Sequence, residues 1–203
     1  MSSVGETVPR SHPSDATLLL YSTGRLGQPF RVAVAAHVAH CARCQCLLEA
    51  GAAIGGQLLA DAPPAPLAPD ALNAILARLD EPAPRALPTP LPPTRRAWPV
   101  APGIRHARLL HDGHESLHLF RVCLGYSLPV HHHNGPELTC VLEGAYADET
   151  GVHSAGDAVS TQAGGPHEVR AVGARDCVCL LAVTGRLRFV TPIPRAMQWF
   201  LGL

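Results

Sequence analysis

Two groups of residues in this chain have the types and the spacing of metal ligands. The first is His37-Val38-Ala39-His40-Cys41-Ala42-Arg43-Cys44. His37, Cys41 and Cys44 stand at i, i+4 and i+7, so a continuous helix would present all three on one face. If the helix breaks near Cys41, the Cys-x-x-Cys turn still wraps a metal while His37 approaches from the preceding turn. Imidazole nitrogen and thiolate sulfur in a tetrahedral set favour zinc. A structural site needs a fourth ligand, and His12 is the candidate; it would tie the N-terminal segment to the helices that follow. In so small a unit such a tie supplies on the order of 10 kcal/mol of folding free energy. Two plainer readings compete, in which Cys41 and Cys44 are small buried hydrophobes or a thioredoxin-like redox pair. The redox reading requires a βαβ context that this segment lacks. Cys46 and His40 are spare donors nearby, with packing or solvent-facing roles.

The second group is His131-His132-His133-Asn134-Gly135-Pro136-Glu137. On a strand, side chains alternate faces, so His131 and His133 point one way and His132 the other. Glu137 opens the next strand after a Gly-Pro turn and can return a carboxylate to the same interior point. His167, thirty residues further on, can bring a fourth ligand there. Three imidazoles and a carboxylate suit a borderline divalent metal: zinc, iron, manganese, nickel or copper. A solvent-exposed His run would leave Glu137, Gly144 and His167 unexplained.

The elements that must position these ligands differ between the two halves. Residues 12 to 80 read as short helices. Ser14 and Asp15 are N-cap candidates before Ala16–Tyr21, Gly24 is a stop, and further helices run from about Pro29 to His40 and from Ala42 to Leu59. Pro69-Asp70 begins an amphipathic helix with Leu72, Ile75, Leu76 and Leu79 on one face. Eight prolines lie between Glu81 and Pro102, the composition of a semi-rigid linker. Such a linker leads us to expect little packing across the junction. After Ile104 come short β-type runs: Ser116–Leu124, Glu137–Tyr146, Asp157–Thr161, His167–Val172 and Cys177–Thr184. Asp112-Gly113 reads as a type I′ hairpin turn. Cys177 and Cys179 alternate on one strand and face the same side, as two buried core thiols or as barrel-lining thiols near the metal. Pro194–Leu203 is a candidate terminal helix. The expectation is a multi-domain α plus β chain: a small N-terminal helical bundle over residues 1–80, a linker over 81–97 and a β-barrel or sandwich over 98–203.

Composition narrows the function. The chain has 203 residues, with 16 basic and 16 acidic side chains, every basic one an arginine. Zero formal charge gives no electrostatic footprint for nucleic acid or for an anionic membrane surface. No apolar run approaches the ~20 residues that span a bilayer. The N-terminus has no basic region followed by an apolar stretch, so the expected location is the cytoplasm, where its seven cysteines stay reduced unless they bind metal or sense oxidants.

The second group resembles a known family. Gly125, five residues, His131-x-His133, three residues, Glu137, six residues and Gly144 are similar to the first cupin motif at every position. Gly156, seven residues, Gly164, two residues and His167 resemble the second; the departures are Gln162 in place of Pro and Ala171 in place of Asn, neither of them a ligand. The resemblance covers about Trp98 to Leu187 and implies a double-stranded β-helix barrel with a divalent metal inside, zinc or otherwise iron, manganese or nickel. His37, Cys41 and Cys44 match the His-x3-Cys-x2-Cys signature of zinc-binding anti-sigma domains, and His12-Pro13-Ser14-Asp15 with Leu18-x-x-Tyr21 resembles their first helix. The two in this order resemble ChrR-like anti-sigma factors. The resemblance implies a regulator and not an enzyme. Its helical half would bind an extracytoplasmic-function-type sigma factor, with Leu18, Leu19, Leu20, Leu47, Leu48 and Leu58 divided between core and interface. Its barrel would respond to oxidants. With the halves decoupled by the linker, the helical fragment alone should inhibit.

Two rival readings compete with this one. A metal-dependent cupin enzyme, a dioxygenase or isomerase with a helical appendage, would use open positions on the barrel metal. No further acid–base pair beyond His153 and Glu143 accompanies the ligands. A DNA-binding zinc module would need a basic recognition helix, but residues 29 to 60 carry only Arg31 and Arg43.

Overall fold

The computed structural model describes residues 8–79, 97–162 and 167–190. The helical half holds α1 (Asp15–Ser22), α2 (Gln28–Val38), α3 (Ala42–Ala60) and α4 (Ala71–Leu79). Ser14 caps α1 by accepting the Thr17 N–H on its hydroxyl at 3.2 Å, with Asp15 in the first turn. Pro29 starts α2, where a missing N–H costs nothing. Cys41 is extended, at φ −121° and ψ 97°, so the chain breaks between α2 and α3. His37, Cys41 and Cys44 therefore come from two helices and the corner between them, the second of the two geometries open to the sequence. No helix among the described residues is long and apolar enough to cross a membrane.

Eleven strands among the described residues form two antiparallel sheets. They are β1 (Trp98–Ala101), β2 (Ile104–Asp112), β3 (Glu115–Val122), β4 (Ser127–His133), β5 (Glu137–Glu143), β6 (Ala145–Asp148), β7 (Gly151–Ser154), β8 (Ala158–Thr161), β9 (His167–Val172), β10 (Cys177–Thr184) and β11 (Leu187–Phe189). One sheet has the order β1-β2-β3-β10-β5-β8, the other β11-β4-β9-β6-β7. The single run expected over Glu137–Tyr146 is two strands in different sheets. Gly144 divides them at φ +69°, where a Cβ would stand 2.2 Å from the Asp176 carbonyl oxygen. The hairpin turn also differs from expectation. Asp112 still pairs with Glu115, so the loop residues are Gly113 and His114. Only Gly113 has positive φ, at +59°, which is the type II′ pattern. The segment Pro194–Leu203 lies outside the described residues.

β10 is buried on both faces, which is why its sequence is an unbroken apolar run. Cys177, Cys179, Leu181 and Val183 point between the sheets, with Phe120, Val122, Val141 and Tyr146. Val178, Leu180 and Ala182 point outward, with Leu117, Leu119, Leu138 and Cys140. That outer face is covered by α2, whose Phe30, Ala33 and Val34 join the same cluster. α2 packs on β2, β3, β5 and β10. The expectation of little packing between the halves is thus overturned. A proline-rich connection limits the path of the chain between its ends and says nothing about whether the ends' apolar faces meet. Burial of Phe30 and Val34 alone is worth about 1.5–3 kcal/mol each.

Candidate metal centres

In the helical half the four expected ligands converge. His12 precedes α1, His37 sits in the last turn of α2, Cys41 forms the corner and Cys44 lies in the first turn of α3. Their four ligand atoms all lie within 4.8 Å of one another. His12 Nδ1 is 3.4 Å from His37 Nε2, 3.4 Å from Cys41 Sγ and 3.6 Å from Cys44 Sγ, and His37 Nε2 is 3.3 Å from Cys44 Sγ. A tetrahedron with metal–nitrogen bonds of about 2.05 Å and metal–sulfur bonds of about 2.3 Å requires edges of about 3.3 Å between nitrogens and about 3.5 Å from nitrogen to sulfur. The donor set fits zinc in both chemistry and size. Burial lowers the pKa values of both imidazoles, with the Arg43 charge adding to the effect on His12. Neutral imidazole is the form that ligates. Without metal, burial and then the neighbouring Cys41 thiol push Cys44 up to about 11, so metal entry must displace a thiol proton.

In the barrel, His131 and His167 are cross-strand partners on β4 and β9, and Glu137 reaches across from β5 of the other sheet. Ligand atoms of these three lie within 4.8 Å of one another. His133 adjoins the group through Glu137: its Nε2 is 3.7 Å from Glu137 Oε2, while Glu137 Oε1 is 3.8 Å from His167 Nε2. His131 and His133 are buried and His132 is half-buried on the opposite face, as the alternation requires. His131 Nδ1–H donates to the Pro129 carbonyl at 3.0 Å and His133 Nδ1–H to that of Gly135 at 2.5 Å, which leaves each Nε2 for the interior. Burial pushes Glu137 up to about 7, against the Thr139 hydroxyl that lowers it, and pushes His131 down to about 3, with the His167 charge adding to the effect. Glu137 Oε2 is buried without a hydrogen-bond partner. A divalent cation would satisfy that oxygen, so these residues also fit a metal.

A family model described as the ChrR cupin-like domain matches residues 93–187. Anti-sigma-E factor ChrR of Cereibacter sphaeroides is 34% identical over 212 residues, covering 94% of this chain and 97% of that protein. The chain belongs to the ChrR family. The crystal structure of Rhodobacter sphaeroides SigE in complex with the anti-sigma ChrR matches it with a TM-score of 0.74 and 34% identity, covering 87% of this chain and 100% of that one.

Three further features of this ChrR-family chain escaped the sequence reading. The first is surface: α3 buries only Cys44 and α4 buries none of its residues. Leu47, Ile54 and Leu58 on α3 are exposed, as are Leu72, Ile75, Leu76 and Leu79 on α4. The helical periodicity was legible, but whether it marked core or interface was not. The second is a hydrogen-bonded chain inside the barrel, His106 Nε2 to His118 Nδ1 at 2.8 Å and His118 Nε2 to Ser116 Oγ at 2.7 Å. The alternation Ser116-x-His118-x-Phe120 marks these as inward positions and was the available signal. The third is Asp157, buried at the junction of the halves with its carboxylate on the N-terminal segment. Nothing in its local sequence announces that role. Cys177 and Cys179 line the inner core; the neighbouring Cys177 thiol, then burial, hold Cys179 protonated well above the usual range.

Proposed function

We propose that this protein is a cytoplasmic anti-sigma factor that captures an extracytoplasmic-function-type sigma factor and releases it under oxidative stress. In this reading residues 1–80 are the capturing unit, with zinc held by His12, His37, Cys41 and Cys44. Residues 81–97 connect it to the barrel of residues 98–203. The observation that carries the reading is the uncovered apolar surface of α3 and α4, in a chain that aligns nearly end to end with an anti-sigma factor. Exposed apolar surface of this extent marks a protein-binding face. The neutral charge agrees, because promoter contact would belong to the sigma factor. Regulation rather than catalysis is favoured because the full-length relative carries the name of an anti-sigma factor.

Zinc in the helical half would supply a rigid crosslink that sets the angle of α3 against α1 and α2. A divalent ion in the barrel, zinc or else iron, manganese or nickel, would supply a Lewis-acidic centre for an oxidised small molecule. His131, His133, Glu137 and His167 would hold it, and the two carbonyl-bonded imidazoles keep their Nε2 atoms aimed inward. The test is co-purification of the full chain with an extracytoplasmic-function-type sigma factor from the same cells, followed by a reporter of that factor. Wild type should silence the reporter until oxidant is added. Ile54→Asp/Leu58→Asp on α3 should abolish capture, whereas Glu137→Ala should capture normally and ignore the oxidant. Capture undiminished by the α3 charges would refute the assigned face, and normal induction in Glu137→Ala would refute barrel sensing.

A further inference from the structure

His37 offers Nε2 to the helical metal cluster because its Nδ1 is committed elsewhere. Nδ1–H donates to the carbonyl oxygen of Gly156 at 2.7 Å, in the turn that joins β7 to β8 of the barrel. The same turn grips the other side of the cluster. Asp157 Oδ1 accepts the backbone N–H groups of Arg10 at 2.6 Å and Ser11 at 2.9 Å, the two residues before His12. Its Oδ2 accepts the N–H of Ser154 at 2.7 Å, which fixes the carboxylate to its own turn. The N–H of Ala158 donates to the Ser11 carbonyl at 3.0 Å, so the backbone of the segment is also tied to the start of β8. His153 completes the clasp, with Nδ1 3.2 Å from Ser11 Oγ. His12 and His37 are 25 residues apart, yet one barrel turn orients both. Asp157 is 2% exposed, so its carboxylate is largely shielded from water, which strengthens the bonds it accepts.

We propose that the β7–β8 turn of the barrel is the outer shell of the helical-half metal site, with the Gly156 carbonyl and the Asp157 carboxylate as positioning groups for His37 and His12. The proposal rests on the reading that His12, His37, Cys41 and Cys44 hold a metal. Outer-shell groups fix the tautomer and direction of a ligating imidazole, and their loss typically lowers metal affinity about 10–100-fold. Metal occupancy in the helical half and docking of the barrel are then linked, and the linkage is reciprocal. Anything that pulls the turn away loosens the metal, and loss of the metal loosens the turn.

Cobalt(II) separates the two metal sites, because only the helical-half set contains thiolates and gives a sulfur-to-cobalt charge-transfer band. Full-length wild type, Asp157→Asn, Asp157→Ala and the control Asp176→Ala are loaded with cobalt and challenged with EDTA. Asp157→Ala should lose the band about 10–100-fold faster with its position unchanged, since the ligands are the same. Asp157→Asn keeps one acceptor oxygen and should fall between, and Asp176→Ala should match wild type. Equal rates in Asp157→Ala and wild type would overturn the proposal. No thiolate band in wild type would overturn the metal reading itself, and the proposal with it. Should Asp157→Ala fail to fold, hydrogen exchange in the wild-type full chain decides instead. The Ala158 amide should exchange faster after the metal is stripped from the helical half, and unchanged protection would overturn the proposal.

Discussion

Cutting the chain after Arg85 separates the helices from the barrel, and the structure gives the magnitude of the consequence. The face of α2 carrying Phe30, Ala33, Val34 and His37 loses the outer surface of the six-stranded sheet. Phe30 is 7% exposed and Val34 is fully buried in the whole chain. Re-exposing these two side chains forfeits about 1.5–3 kcal/mol each. The His37–Gly156 hydrogen bond adds about 0.5–1.5 kcal/mol. From these three contributions alone the fragment starts about 3.5–7.5 kcal/mol worse than the same helices in the whole protein. Structural zinc in small domains supplies about 10–16 kcal/mol at neutral pH, which exceeds that deficit. The 1–85 fragment should thus fold with zinc and unfold without it, whereas the full chain should keep α2, the helix that packs on the barrel, after chelation. Far-UV circular dichroism at 222 nm, before and after EDTA, reads the difference. Helicity in the fragment that survives chelation would refute the argument. So would an equal helical loss in the full chain.

Two more outcomes follow from two buried histidines and one tightly packed glycine. Burial pushes His106 down to about 4 and His118 down to about 3, so below pH 6.5 the unfolded chain takes up protons that the folded chain refuses. Stability should fall from pH 6.5 toward pH 4 at up to about 1.4 kcal/mol per pH unit per histidine, and urea midpoints of His106→Phe/His118→Phe should show a shallower slope than wild type. Gly144→Ala should destabilise by more than about 1 kcal/mol, because φ is +69° and the new Cβ would meet the Asp176 carbonyl; a melting temperature equal to wild type would refute the steric account.

The candidate ligand sets were legible because metal chemistry restricts both residue type and spacing. His37, Cys41 and Cys44 are close in sequence, so their convergence needs only local geometry, and the break at Cys41 changed the path without separating them. The barrel set was legible for a related reason: strand alternation fixes His131 and His133 on one face, and a short turn returns Glu137 to it. His133 stands 3.7 Å from Glu137 and edge-on to the His167 ring, a detail of side-chain distance that no spacing encodes. The union of the halves was harder to see. Phe30, Ala33 and Val34 at helical spacing read equally well as the core of a free-standing bundle.

A signal for that union nevertheless stood in the barrel strands. β10 is apolar at every position from Cys177 to Val183, and its neighbours add Leu117 and Leu119 on β3 and Leu138 and Cys140 on β5 at the outward positions. A sheet whose strands are apolar on both faces must be covered on both. The second sheet covers the inner face, and α2 supplies the cover for the outer one. The cover is also the element that ends in His37, next to the turn that holds Gly156 and Asp157. β5 begins at Glu137 and continues under α2, the helix that carries His37 of the other candidate site. Among the described residues, barrel and helices meet at this packed face and at the clasp beside it, so a change in either half that reaches the other through them must alter one of these contacts.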